Sequence, residues 1–350
     1  MTAAALGLVA LAVAAGVSRG QRDHTAPPAP AGARTAAAPS PAQVPQAPVV
    51  DVSRPPGRAA ARDAVAQAPT TSQPEPAAST SSSPRRIIRA SDIAGATPYS
   101  PSFVPSTGGL VFHSGKQQTA LHEASLHADG SVSEVTTLVR DGARSYHVQV
   151  SPDGSRIAFD SDRDGTRAVY VAGRDGRQPR RISGAGTALV PSWAPDGSRL
   201  AFVRAEPHRP RVWQIWTADL RTGVLQQLTS HRVGQPWGAS WFPDGHRVAY
   251  SLEDQLIVLD TRSGARQKMP SPVRGRMVRT PAVSPDGARI AFQVHHDGMW
   301  MLDLPSGRMT RVLSDRSAQE FAWSPDGRHV AYHSTRGGAW EIWALPVGGP

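Results

Sequence analysis

One pattern recurs along most of this chain: an apolar run, a Pro-Asp-Gly turn and a second apolar run. It reads YHVQVSPDGSRIAF, LVPSWAPDGSRLAF, WGASWFPDGHRVAY, RTPAVSPDGARIAF and QEFAWSPDGRHVAY, with turn prolines at Pro152, Pro195, Pro243, Pro285 and Pro325. The steps between them are 43, 48, 42 and 40 residues, and a degenerate copy, YSPSFVPSTGGLVF, places Pro105 another 47 residues upstream. Units of this length cannot bury their apolar faces alone and must stack on neighbours, and strand-like units of 40 to 48 residues do so as propeller blades.

The local chemistry agrees. Proline presets φ at the second position of a tight turn, and Asp and Gly tolerate the conformations that follow, so each turn joins two antiparallel strands. A third strand follows in each unit: RAVYVAG, QIWTADL, QLIVLDT, GMWMLDL and EIWALPV, all rich in β-branched and aromatic residues. A fourth, such as PRRIS, LQQLTS or MTRVLS, ends the unit as its outer edge. The expected fold is all-β: a six-bladed β-propeller of four-stranded antiparallel blades. The last unit stops at its third strand, EIWALPVGGP, which leaves an open edge. SPRRIIRAS matches the fourth-strand pattern, so Arg86, Ile87, Ile88 and Arg89 are expected to pair with the blade containing Trp340 and Trp343 and close the ring.

The P-D-G turns, the apolar strand after them and the EIWAL or VYVAG third strands resemble the TolB-type, WD-like propeller repeat of bacterial envelope proteins and of the propellers of prolyl-oligopeptidase-like enzymes. The resemblance covers about residues 85 to 350. The Gly-His and Trp-Asp signature of true WD repeats is absent. The small α/β domain that precedes the TolB propeller has no counterpart in the sequence, so the resemblance does not by itself carry a Tol-Pal role.

Before the repeats, TAAALGLVALAVAAGVS is followed by Arg19 and Arg22. Residues 1–20 are expected to be a signal peptide or membrane anchor. Residues 21–84, rich in Pro, Ala and Ser with almost nothing to bury, are expected to be a disordered linker, and residues 85–350 the propeller. The expected location is periplasmic or otherwise extracytoplasmic, with the membrane touched only through the N-terminal segment. The chain has no cysteine, which excludes disulfides, thiolate nucleophiles and cysteine-based zinc sites. It carries 38 basic and 28 acidic residues, and only Lys116 and Lys268 are lysines. The arginines are scattered singly among acids instead of forming a run, so no nucleic-acid partner is expected.

Two further patterns bear on function. Asp160-x-Asp162-x-Asp164-Gly165 has calcium-loop spacing, but the twelfth position of such a loop is Val171 where a bidentate Glu is needed. The segment is therefore read as a hairpin turn at Asp164-Gly165, and Asp153, Asp196, Asp244, Asp286 and Asp326 as residues that cap their own turns. No Gly-x-Ser-x-Gly elbow occurs. Twelve histidines, including His113, His147, His208, His231, His295, His296 and His333, fall at different places in the repeat, so no metal, cofactor or catalytic cluster is expected. Trp193, Trp241 and Trp323 share one repeat position and are expected to pack between blades, with Trp213, Trp216, Trp300, Trp340 and Trp343 in or beside third strands. Trp237 stands apart, before a first strand, as an exposed contact.

The expected function is a non-enzymatic, monomeric scaffold that binds a protein or peptide at the channel mouth. Its contacts would come from the loops before the first strands: Arg144, Tyr146 and His147; Gln235 and Trp237; Arg276 and Arg279; Gln319 and Glu320. The alternatives are a propeller lyase or glycosidase using His and Asp at that mouth, marked by acids and histidines of three or more blades meeting within coordination reach, or the sensory half of a membrane-bound regulator.

Overall fold

A computed structural model of the protein describes residues 83–115, 119–127, 130–206 and 208–348. The expected signal or anchor segment and nearly all of the expected linker lie outside the described residues. The described chain forms six four-stranded antiparallel sheets. Blade 1 contains β2 (Pro98–Phe103), β3 (Leu110–Ser114), β4 (Ala120–Leu126) and β5 (Val132–Val139); blade 2 contains β6 (Ser145–Val150), β7 (Arg156–Ser161), β8 (Ala168–Gly173) and β9 (Arg180–Arg181). Blade 3 follows with β10 (Ala188–Trp193), β11 (Arg199–Glu206), β12 (Arg209–Asp219) and β13 (Leu225–Gln227), and blade 4 with β14 (Trp237–Trp241), β15 (Arg247–Leu252), β16 (Gln255–Asp260) and β17 (Arg266–Pro270). Blade 5 is β18 (Val278–Val283), β19 (Arg289–Val294), β20 (Gly298–Asp303) and β21 (Met309–Leu313). Blade 6 takes β22 (Gln319–Trp323), β23 (His329–Ser334) and β24 (Glu341–Pro346) from the end of the chain, and β1 (Arg85–Ile88) from its start.

The closure is the one the missing strand demands. Arg85, Arg86 and Ile88 pair antiparallel with Ala344, Trp343 and Ile342, and Ile88 is fully buried between blades 6 and 1. First strands touch in a cycle, β2 to β6, β10, β14, β18, β22 and back to β2, so the ring has no open interface. One hydrophobic cluster fills each of the six gaps between blades. The period-2 alternation of each strand supplies both sides. In β7, Ile157 and Phe159 face blade 1 while Ala158 faces blade 3.

The turns form for the reason the sequence suggests. Each turn aspartate accepts the backbone N–H two residues on, at 2.9–3.1 Å, in Asp153, Asp196, Asp244, Asp286 and Asp326. The same turns also lock the blades together. Arg156, Arg199 and Arg289, four residues after the turn proline, each donate to the Gly carbonyl of the next blade's turn (Gly197, Gly245 and Gly327, 2.7–3.2 Å). Each also lies over that blade's conserved-register tryptophan: Trp193 at 5.0 Å, Trp241 at 4.9 Å and Trp323 at 4.8 Å. These tryptophans pack between blades, as their repeat position requires. No helix of the described residues is long and apolar enough to cross a membrane.

Candidate functional site

Every first strand is bent at one point. Five residues before the turn proline, or before its counterpart Pro105 in blade 1, stand Ser100, His147, Val190, Gly238, Thr280 and Glu320. All six have φ between 46° and 62°, and all six first-to-second strand ladders change register there. Val190 and Thr280 are β-branched, for which this left-handed conformation is strained. A bulge repeated six times re-aims one residue per blade at a single level of the ring. Strain concentrated at one level of a ring marks that level as the candidate site.

Two further rings adjoin it. One residue earlier stand Tyr99, Tyr146, Leu189, Trp237, Arg279 and Gln319, and opposite them in the second strands stand His113, Asp160, Val203, Ser251, Gln293 and His333. The two rings interlock: Tyr99 stacks on His113 at 5.4 Å and meets His333 edge-on at 5.5 Å, while Tyr146 meets His113 edge-on at 5.1 Å.

Blades 6, 1 and 2 bring a polar network together here. His147 Nδ1 donates to Asp160 Oδ1 at 2.8 Å, and its Nε2 lies 3.4 Å from Glu320 Oε1 of blade 6. Arg167 Nε donates to the other Asp160 oxygen, the Val190 N–H donates to Asp160 at 3.0 Å, and Ser100 Oγ donates to Glu320. The Ser100 N–H donates to His333 Nδ1 at 3.3 Å, which leaves the proton of that imidazole on Nε2. Burial works against charge on His147, but Asp160 and Glu320 outweigh it and raise its pKa to about 9. Burial alone would raise the Asp160 carboxyl, yet Arg167 and His147 hold it below the usual carboxylate range; His147 and His333 do the same for Glu320. Burial, with His147 nearby, pushes His113 down to about 3, and burial also lowers His333. At neutral pH the network therefore holds two carboxylates against His147 and Arg167 as cations, with His113 and His333 neutral.

The nine residues expected at the mouth all fall at this end of the ring. Tyr146, Trp237, Arg279 and Gln319 occupy the outer ring, and His147 and Glu320 the bulge ring, within first strands instead of the loops before them. Gln235 is half-buried just before β14, and Arg276 is exposed just before β18. Arg144 is exposed and bonds Asp162 at 2.5 Å. The structure brings His147 and Glu320 together and Trp237 under Arg279, whose guanidinium lies 4.6 Å from the indole centre. Trp237 is thus half-buried, not fully exposed.

The histidines fall at different places in the repeat, yet three of them, His113, His147 and His333, converge, together with Asp160 and Arg167. The available signal was register, because His113, Asp160 and His333 all stand eight residues after the turn proline or its counterpart. Among the described residues no three His, Asp or Glu side chains are arranged to hold a metal ion. The calcium-like motif is divided among three partners: Asp160 faces the axis, Asp162 bonds Arg144, and Asp164 accepts from Tyr170 Oη at 2.6 Å. Gly165, at φ +86° and donating to the Asp162 carbonyl, makes the hairpin turn.

Comparison with known proteins agrees with this architecture. Residues 82–255 match the model of the TolB beta propeller domain. An uncharacterised protein of Agrobacterium fabrum is 25% identical over 260 residues, 67% of this chain and 83% of its own length. A TolB homolog of Chlorobium luteolum is 30% identical over 162 residues, 44% of this chain but only 36% of that protein. TolB from Acinetobacter baumannii superposes with a TM-score of 0.55 at 19% identity, over 73% of this chain and 64% of that one. An oligogalacturonate lyase from Vibrio parahaemolyticus superposes at 0.52 and 11% identity, over 77% and 95%, a likeness of fold alone. With six blades, a P-D-G turn in five of them and a ring closed by β1, the described part of this chain is a TolB-type β-propeller.

Proposed function

We propose that this propeller is a non-enzymatic, monomeric scaffold outside the cytoplasm, which docks an extended segment of a partner protein at the channel mouth. The observation that carries the reading is the outer ring of the mouth, where Tyr99, Tyr146, Trp237 and Arg279, from four blades, stand half-buried at one end of the axis. Rigid aromatics and arginine offer large contact area at small entropic cost, the composition of interface centres. The TolB-type repeat and the apolar N-terminal sequence support a place in the cell envelope. Several arginines are taken up between blades or in ion pairs, which argues against a nucleic-acid surface.

A lyase or hydrolase reading needs a group poised to take or give a proton near neutrality. Acids and histidines of three blades gather here, but among the described residues no three of them are arranged around one coordination point. His147 keeps its proton, both carboxylates are neutralised by cations, and His113 is too weak a base. The network is suited to clamp blades 6, 1 and 2 beneath a docking surface.

The test is a photo-crosslinking residue placed at Gln235 in the full chain, with Arg328, exposed at a turn on the opposite end, as the comparison site. One discrete protein adduct from position 235, absent from position 328 and lost on Trp237→Ala, is expected. Equal adducts from both ends, or none, would refute the reading.

A further inference from the structure

The mouth is divided electrically. On the side of blades 6, 1 and 2 every charge of the axial network has a partner of opposite sign. On the side of blades 4 and 5 it does not. Arg279 sits in the outer ring over Trp237, with its Nε shut away from solvent and bonded to nothing. The adjacent Thr280, the bulge residue of blade 5, has its Oγ1 equally buried and equally unpartnered. A guanidinium N–H and a hydroxyl left buried without acceptors cost free energy, which a ligand oxygen recovers once the side chains covering them shift to admit it. Around them stand the exposed Arg276 and the adjacent rings of His295 and His296, 3.8 Å apart in the hairpin after β19.

The acids of the flanking hairpins do not neutralise this group. Asp297 is taken by Arg311 and by the Trp300 indole, and Glu253 and Asp254 form no ion pair with Arg276 or Arg279. His295 registers the resulting potential: burial, then Arg279, His296 and Arg276, press it down to about 4. Beside the basic group, the loop before β14 exposes Val233 at 74 % and carries Gln235. Unpaired cationic and hydroxyl donors match an acidic side chain on an extended peptide.

Resting on the scaffold reading above, we propose that the blade 4–5 sector of the mouth, Arg279 and Thr280 with Arg276 and Trp237, captures a carboxylate presented by an acidic segment of the partner protein. The carboxylate oxygens accept from Arg279 and Thr280 Oγ1, Trp237 supports the guanidinium from below, and Arg276 adds longer-range attraction. Attraction of this kind weakens with salt, whereas the paired blades 6, 1 and 2 contribute none of it.

The probe is acetyl-hexaglutamate amide, titrated onto the full-length protein by calorimetry, with the free-acid form of the same peptide separating side-chain from chain-terminal capture. Binding that falls about tenfold on Arg279→Gln is expected, the loss typical of a hydrogen bond to a charged group. It should fall less on Arg276→Gln, stay unchanged on Arg328→Gln at the opposite end of the ring, and be accompanied by a rise of the His295 pKa read by NMR. Arg276 is exposed, so its variant serves if Arg279→Gln fails to fold. The proposal is overturned if hexaglutamate does not bind, if only the free-acid form binds, if Arg328→Gln loses as much as Arg279→Gln, or if trigalacturonate binds through Arg279 and the peptide does not. A crosslinked adduct that needs Trp237 but ignores Arg279→Gln would refute this assignment alone, while absence of any adduct would refute the scaffold reading.

Discussion

His147 binds a proton in the folded ring far more tightly than in the unfolded chain, and replacing it with Asn should remove a defined block of pH-dependent stability. Asn tolerates the φ of +49° at this position, so the bulge itself need not change. The imidazole pKa is raised from 6.5 to about 9. At about 1.4 kcal/mol for each pKa unit, the folded state gains about 3 kcal/mol from this one site. That gain is complete below pH 6.5. Between 6.5 and 9 the native state holds a proton that the unfolded chain has released, so stability falls as pH rises, by about 1.4 kcal/mol per unit, and the gain is gone above 9. His122, His231 and His295 shift the other way and shape the curve at lower pH, equally in both proteins, whereas His113 and His333, held down in part by His147, should shift less in the variant. Urea unfolding of wild type and His147→Asn at pH 6.5, 7.5, 8.5 and 9.5 isolates the effect as a difference. A stability difference between the two proteins that stays constant across those four values would show that the His147, Asp160 and Glu320 linkage is not what the geometry implies.

Perturbations at four other positions probe the ring. Arg199→Ala removes the 2.7 Å bond to the Gly245 carbonyl and the stacking on Trp241, and should cost about 1–2 kcal/mol in urea unfolding; Arg199→Lys, without a planar fork, should not restore it. Ile88→Ala opens a cavity at the closure between blades 6 and 1 and should cost about 2–5 kcal/mol, with enhanced proteolysis at the β1 junction, whereas a loss under 1 kcal/mol would mean that β1 does not close the ring. Gly238→Asn should be nearly neutral because five other blades seat a side chain at the same φ. Gly298→Ala should be severely destabilising, since at φ +122° its Cβ would lie 2.0 Å from the Leu313 carbonyl oxygen; calorimetric melting separates the two.

Much of this protein is local chemistry, and local chemistry can be read from a linear string. A turn proline, a self-capping aspartate and a positive-φ glycine act within a few residues, so each P-D-G hairpin is specified where it stands. Strand alternation likewise specifies which residues of β7 face each neighbouring blade. Counting strands even exposed the missing edge that Ile87 and Ile88 fill, because an unpaired ladder in the last unit has to be satisfied by some segment of matching pattern.

Convergence at the axis is of another kind. His147 and Glu320 are 173 residues apart and lie 3.4 Å from one another only because six sheets, each turned relative to the last, bring the ring back on itself. No single repeat encodes that distance. Asp160 shows the difference within one motif: its spacing suggests a metal loop and its neighbours a turn, yet it ends near the top of β7, fully buried, neutralising cations of its own blade. The bulge that recurs in every first strand is a property of strand packing around the ring, strong enough to hold Val190 and Thr280 in a conformation their own chemistry disfavours. The sequence alone determined the repeat, the blades and the closing strand, since these follow from turn chemistry and alternation. Tertiary structure alone decided which charges meet at the axis and which, at Arg279, are left waiting, since that depends on curvature summed over the whole ring.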